Sequence, residues 1–243
     1  MNPYKLVFIY CLRLLLFWLS VGSALPLCAA ELSLVTSSEH KTAPTSVEDI
    51  DIAHIKKFQH QLLEDLGNKI EEHPEVGDNY FRRAFIYYQL KEYKGALKDC
   101  QQAMSCGLDH ANIHLLKSEI LFAQKNYGEA LPEINKTIAL NYINAKIYAL
   151  AAQINGNLKE YAEALQYCSK AIDLEPSNAR YYEIRAELDY KVEQYLRCIR
   201  DANKAIELDP NLGIAYSIRG QANYAVGDLK QAKFDKKKAK ELN

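Results

Sequence analysis

The sequence predicts an all-α helical-repeat solenoid, and three observations predict it. The stretch 145–178, AKIYALAAQINGNLKEYAEALQYCSKAIDLEPSN, returns in altered form every 34 residues from 77 to the C-terminus without an insertion. Small residues recur at fixed places within each interval. Two intervals close on AIDLEP (171–176) and AIELDP (205–210), where a proline follows a helix that it cannot continue. A period of this length built from two short apolar segments is the mark of stacked helix hairpins.

The 243 residues are 49% hydrophobic and 25% charged, with a formal net charge of −1. That balance is globular, and without a basic field no nucleic-acid partner is expected. At the N-terminus Lys5 and Arg13 precede an apolar run, 14–27, and Cys28, Ala29 and Ala30 lead into Glu31. These are the three parts of a secretory signal peptide, so 1–30 reads as a signal cleaved after Ala30 and the chain as exported, periplasmic or secreted. Two alternatives stay open. An uncleaved 6–27 is long enough to anchor the chain in a membrane, although Arg13 would lie inside it. The segment also resembles a bacterial lipoprotein signal ending at Cys28, although Leu27 stands where a small residue is usual.

Residues 31–46 are polar, contain Pro44 and show no apolar period, and so read as a flexible linker. Thr45 with Glu48 and Ser46 with Asp49 have capping-box spacing, opening a helix at Val47. Ile55, Phe58, Leu62, Leu66 and Ile70 then form one stripe until Pro74, so 47–76 is expected to be a capping helix or a degenerate repeat.

Five repeats follow, 77–110, 111–144, 145–178, 179–212 and 213–243. Their fourth residues are Tyr80, His114, Tyr148, Tyr182 and Tyr216; their eighth are Ala84, Ser118, Ala152, Ala186 and Gly220. The seventeenth are Tyr93, Tyr127, Tyr161, Tyr195 and Leu229, and the twentieth Ala96, Ala130, Ala164, Cys198 and Ala232. Small residues at the eighth and twentieth places let two helices approach closely. In these residues the chain from 77 to 243 resembles the tetratricopeptide repeat (TPR) family. Local departures are Leu108 and Tyr142 where a proline is usual, His114 in place of an aromatic, and Lys236 in place of an apolar residue. The resemblance implies about five TPR helix hairpins in a right-handed superhelix, with a concave groove lined by the first helices and a protein or peptide partner held there. Some members grip a chaperone's C-terminal carboxylate with basic side chains; the matching positions here include Phe81, Phe85 and Leu116, which cannot do so.

The second, fifth, ninth and twelfth residues of a first helix share one face. The candidate groove is therefore Phe81, Phe85 and Tyr88, then Leu115, Glu119 and Phe122, then Lys146 and Gln153, then Arg180, Glu187 and Tyr190. Its N-terminal end is aromatic and suits an apolar anchor of a partner, unless the capping helix covers it. The last helix, rich in lysine, reads as a solvated cap of the array.

No phosphate loop, dinucleotide turn, HExxH or paired-cysteine zinc spacing occurs, so neither enzyme nor cofactor is expected. Cys106, His110 and His114 have ligand-like spacing, but His114 falls on the packing position and no metal is expected. Cys100, Cys106, Cys168 and Cys198 lie in second helices and read as free core fillers. The oligomeric state is open.

Overall fold

Eleven α-helices account for the fold of the residues that the computed structural model describes, 52–242, with side chains described from 57 on. The expected signal segment, linker and capping boxes lie outside them. The chain divides into two units, Met1–Asp65 and Leu66–Asn243, and α1 (Ile52–Glu72) runs across the division. In the first unit Phe58 is exposed; in the second the stripe of α1 continues with Leu66 and Ile70, both buried.

The second unit goes on as five hairpins. They are α2 (Gly77–Gln89) with α3 (Tyr93–Ser105), α4 (Ala111–Ala123) with α5 (Tyr127–Ala139), α6 (Ala145–Asn157) with α7 (Tyr161–Leu174), α8 (Ala179–Lys191) with α9 (Tyr195–Leu208), and α10 (Gly213–Ala225) with α11 (Leu229–Leu242). Each second helix also packs on the next first helix, and each first helix on the next first helix. This is a solenoid, in which neighbours supply the core that no hairpin could bury alone.

The reason each hairpin closes is visible at its small residues. Ala84, Ser118, Ala152 and Ala186 on first helices, and Ala96, Ala130, Ala164 and Cys198 on second helices, are wholly buried. At the start of α2 the approach is closer still. A Cβ on Gly77 would lie 2.9 Å from the Ala103 carbonyl oxygen, so only glycine fits.

The turn inside each hairpin is the same in all five. Lys91, Lys125, Lys159, Glu193 and Gly227, the fifteenth residues, have φ of 63°, 64°, 68°, 60° and 89°. In each turn this residue and the next donate back to the helix end, as Lys125 N to Phe122 O (2.9 Å) and Asn126 N to Leu121 O (2.9 Å). This pair of bonds is the Schellman motif, which satisfies carbonyls that the helix end leaves open.

Between hairpins two solutions occur, and proline decides which. α7 and α9 run one residue longer than α3 and α5, and are followed by Glu175 and Asp209, both out of the helical region before Pro176 and Pro210. Where Leu108 and Tyr142 replace the proline, the chain turns through the left-handed residues Gly107 (φ 85°) and Asn141 (φ 57°).

Candidate functional site

At about 100° per residue, the second and ninth places of a first helix lie roughly 100° to 120° from the buried eighth, whereas the fifth and twelfth lie only about 40° to 60° from it. The proposed groove face thus has an outer rim and an inner edge, and the structure sorts the candidates accordingly. Lys146 and Arg180 at the second place and Glu187 at the ninth are exposed; Phe85, Glu119 and Gln153 at the ninth are half-buried.

The inner edge corrects one expectation. Phe81 is only 1% exposed, its ring edge-on to His110 with centroids 5.2 Å apart, so it is core and not an open anchor. Its position explains this: Ala149 (7%) and Glu183 (2%) are buried at the same place, and Leu115 is half-buried. Three of the twelfth residues are occupied too. Tyr88 meets Tyr93, Phe122 meets Tyr127 and Tyr190 meets Tyr195, at centroid distances of 6.3, 5.6 and 5.6 Å. These rings brace the hairpin turn with one edge and remain half-buried on the groove side.

Charge on the rim is partly internal. Arg180 Nη1 donates to both oxygens of Glu183, at 2.5 and 2.7 Å, which anchors the buried carboxylate from the surface. Burial still outweighs the arginine and raises the Glu183 pKa. Glu187 lies 3.9 Å from Lys191, both well exposed, a pairing worth little.

Sequence reasoning missed a bridge between the seventh and twenty-third residues. Arg83 donates to Asp99 (2.6 and 2.9 Å), Arg185 to Asp201 (2.6 and 3.0 Å) and Arg219 to Asp235 (3.0 and 2.6 Å), each a two-point contact across one hairpin, and Lys117 makes a one-point contact to Glu133 at the same two places. Each arginine also lies over the ring of the fourth residue, Tyr80, Tyr182 or Tyr216, at 5.8, 5.8 and 5.3 Å. The signal was in the sequence, as a basic and an acidic residue in phase with the period. Hairpin three has Ala151 and Tyr167 there instead, and Tyr167 stacks on Tyr148 at 6.0 Å.

His114 occupies the aromatic place as a buried hydrogen-bonding centre. Its Nδ1 is 2.5 Å from Glu133 and its Nε2 2.6 Å from Asp109, so both ring nitrogens face carboxylates. Hydrogen bonds from His114 and then Lys136 hold the Asp109 carboxyl below its ordinary pKa. Burial works to raise Glu133, but His114 and Lys117 offset it and leave its pKa lowered. The His114 nitrogens are thereby turned from Cys106, whose Sγ faces the Pro74 carbonyl at 3.5 Å, and among the described residues no group of three metal-ligating side chains converges. Cys100, Cys168 and Cys198 are buried thiols pushed up to about 12 by desolvation. Asp189, wholly buried in hairpin four, has no hydrogen-bond partner on either oxygen; Arg197 Nε is 3.5 Å away.

Comparison with known proteins agrees with this architecture. Residues 145–178 match the tetratricopeptide repeat family model. No curated protein matches the chain in sequence. Among solved structures, YrrB, described as a TPR protein with an unusual peptide-binding site, is 17% identical over 74% of this chain and 93% of its own, with a TM-score of 0.63. PilW, described as a type IV pilus biogenesis factor, is 17% identical over 75% of this chain and 84% of its own, at 0.66. MamA from Desulfovibrio magneticus is 19% identical over 69% and 94%, at 0.64. At such identities the likeness carries the fold. The described chain is thus a TPR-like helical solenoid, with one repeat, 145–178, that matches the tetratricopeptide family in sequence.

Proposed function

We propose that this chain is an exported, non-enzymatic scaffold that holds a peptide or protein partner in the groove lined by its first helices. Proteins of this fold are generally protein-interaction scaffolds, and their stacked repeats make extended concave binding surfaces. The observation that carries the reading is a contrast within each first helix. The eighth residue is small in every hairpin, whereas the rim residues change in kind from Phe85 to Glu119, Gln153 and Glu187. Packing keeps the first position small throughout; the second set shares no residue type, and so supplies an uneven surface for one partner. The charges of Lys146, Arg180 and Glu187 supply its polar part, and the half-buried Tyr88, Phe122 and Tyr190 its apolar part. Export rests on the signal-like 1–30.

A second reading, a membrane-tethered factor that helps assemble an envelope complex, is favoured by Cys28 at the end of the apolar run and by the likeness to PilW. The mass of the mature N-terminus separates the two: a start at Glu31 supports release, and a lipid on Cys28 or an intact 1–30 supports tethering. The groove is tested by crosslinking and capture from the native envelope with the full chain and with Lys146→Glu/Glu187→Lys. Both side chains are exposed, so helical content and melting temperature should hold while the specific partner is lost. The same partner captured equally by both forms would remove the groove from the function.

A further inference from the structure

Hairpin five is not polar all round. A groove of about 1010 Å³ lies there, floored by the small residues Gly220, Ala232 and Ala239, with Tyr224 and Leu229 on it 68% and 61% exposed. Earlier in the chain the equivalent groove is filled. In hairpin two the place of Ala232 is held by Ala130, and Ile134 beside it packs on Ile147, Ala151 and Ile154 of the following helix α6. In hairpin three Cys168 and Ala171 meet Tyr181, Ile184 and Leu188 of α8 in the same way. The guest each time is a helix whose third, sixth or seventh, and tenth residues are apolar.

At hairpin five the guest's surroundings change in charge. The twenty-first, twenty-fourth and twenty-eighth residues are Leu131, Ile134 and Ile138 in hairpin two and Lys233, Lys236 and Lys240 in hairpin five, and all three lysines line the groove. Their own helix does not neutralise them. Asp235 is buried in its bridge to Arg219, and Glu241 lies near Lys237 and Lys238, at 3.8 and 3.5 Å, which leaves Lys233, Lys236 and Lys240 without a carboxylate partner among the described residues. The groove is apolar at Tyr224 and Leu229 and basic at its lysines, and a further hairpin of this chain's own kind would bury three lysines. A second copy offering α2 would bring Asn79, Arg82 and Ile86 to the guest positions, setting Arg82 beside the lysines.

We propose that this terminal groove docks an acidic amphipathic helix of a protein partner. Its apolar residues, spaced i, i+3 and i+7, fill the floor over Gly220, Ala232 and Ala239, and its flanking carboxylates pair with Lys233, Lys236 and Lys240. The surface shares Tyr190 with the first-helix groove, but its three lysines lie on α11 and are no part of that groove's rim.

The test uses the full chain and a labelled helical peptide of about 14 residues, roughly the length of the helices that fill the internal grooves, with leucine at i, i+3 and i+7 and glutamate on its flanks, read by fluorescence anisotropy. Saturable binding is expected. Lys233→Glu/Lys236→Glu/Lys240→Glu should weaken it by about tenfold or more, and a lysine-flanked version of the peptide should recover affinity for that variant. The three lysines are exposed, so an unchanged melting temperature shows that folding is intact. Lys146→Glu/Glu187→Lys should leave this binding unaltered, which keeps a failure of the first-helix groove distinct from a failure here. Acidic and basic peptides bound alike, or no binding, would overturn the proposal. So would a dimer in sedimentation that the triple variant dissolves, which makes the occupant a second copy, or binding to phosphatidylglycerol vesicles without binding to the peptide, which makes it a membrane.

Discussion

Hairpin three ties its two helices with stacked rings, where the other four use charge. Tyr148 and Tyr167 lie 6.0 Å apart with Lys170 Nζ 5.5 and 5.3 Å from the two centroids, in the space that Arg185 and Asp201 fill one hairpin later. The backbones nevertheless agree: both hairpins begin their helices at the same places of the period and turn through the same left-handed residue, Lys159 or Glu193. What the two share is therefore what the fold requires, namely wholly buried small residues at the eighth and twentieth places and a Schellman turn. The tie is interchangeable. It is telling that the hairpin matched by the family model, 145–178, is the one without the bridge.

The comparison breaks most sharply if one half of a bridge is removed. Arg185→Ala leaves Asp201, side chain 10% exposed, without its cation, and a buried charge stripped of its partner costs about 3 kcal/mol. Arg185→Ala with Asp201→Tyr copies hairpin three, since Tyr182 is already in place to stack and Lys204 already stands where Lys170 does. The double variant is expected to return to within about 1 kcal/mol of the parent, because an ion pair replaced by well-packed apolar groups is often neutral. Urea unfolding of the three proteins decides it. If the double variant is as weak as the single, the ring pair is not an equivalent tie and hairpin three owes its stability to something else.

How far the sequence could be read follows the same division. The fold class was legible because packing positions repeat: a small residue at the twentieth place and a ring at the fourth sit where helices touch, and a contact that recurs writes itself in phase. The bridge is equally periodic, yet a charged residue in phase does not by itself reveal burial, whereas Asp99, Asp201 and Asp235 are buried. Phe81 was illegible for a different reason. Its angular place lies between packed and open, and the side chain's own size and apolarity draw it inward over His110. Residues of the groove rim carry no period at all, so they mark a surface without naming what binds it.

A smaller effect is expected at Asp189. Hairpins three and five have Asn155 and Asn223 at this eleventh place, and both amides donate, Asn155 to the Ala151 carbonyl at 2.8 Å and Asn223 to Asp235 at 3.2 Å. Asp189 has no such bond, and burial raises its pKa despite Arg197 nearby. A carboxyl raised in the folded state binds its proton more tightly there than in the unfolded chain. The penalty is thus absent below the ordinary carboxylate pKa of about 3.9, grows as pH rises from there to the folded pKa, and is complete above it. Asp189→Asn should stabilise the protein by about 1 to 2 kcal/mol at neutral pH and have little effect at acid pH. Melting curves taken across that range check the sign. An equal effect at both ends would mean that the aspartate's charge is not the cause.

The smallest effect sharpens what all five hairpins have in common. Their turns pass through φ near 60° to 90°, yet only hairpin five has glycine there, Gly227; the others have Lys91, Lys125, Lys159 and Glu193. An L-residue in the left-handed region costs about 1 to 2 kcal/mol, and glycine returns part of this through its greater freedom in the unfolded chain, about 0.5 to 1 kcal/mol. Lys125→Gly should therefore stabilise by about 0.5 to 1 kcal/mol, a rise in melting temperature of about 1 to 3 °C. The four turns share no partners, so the gains should add when all four are replaced. Gly227→Lys should lose what Lys125→Gly gains, since the backbone is the same. If instead the lysine turns lost stability on conversion to glycine, the side chains would be contributing more than the strain they impose, and the turns of the first four hairpins would not be equivalent to that of the fifth.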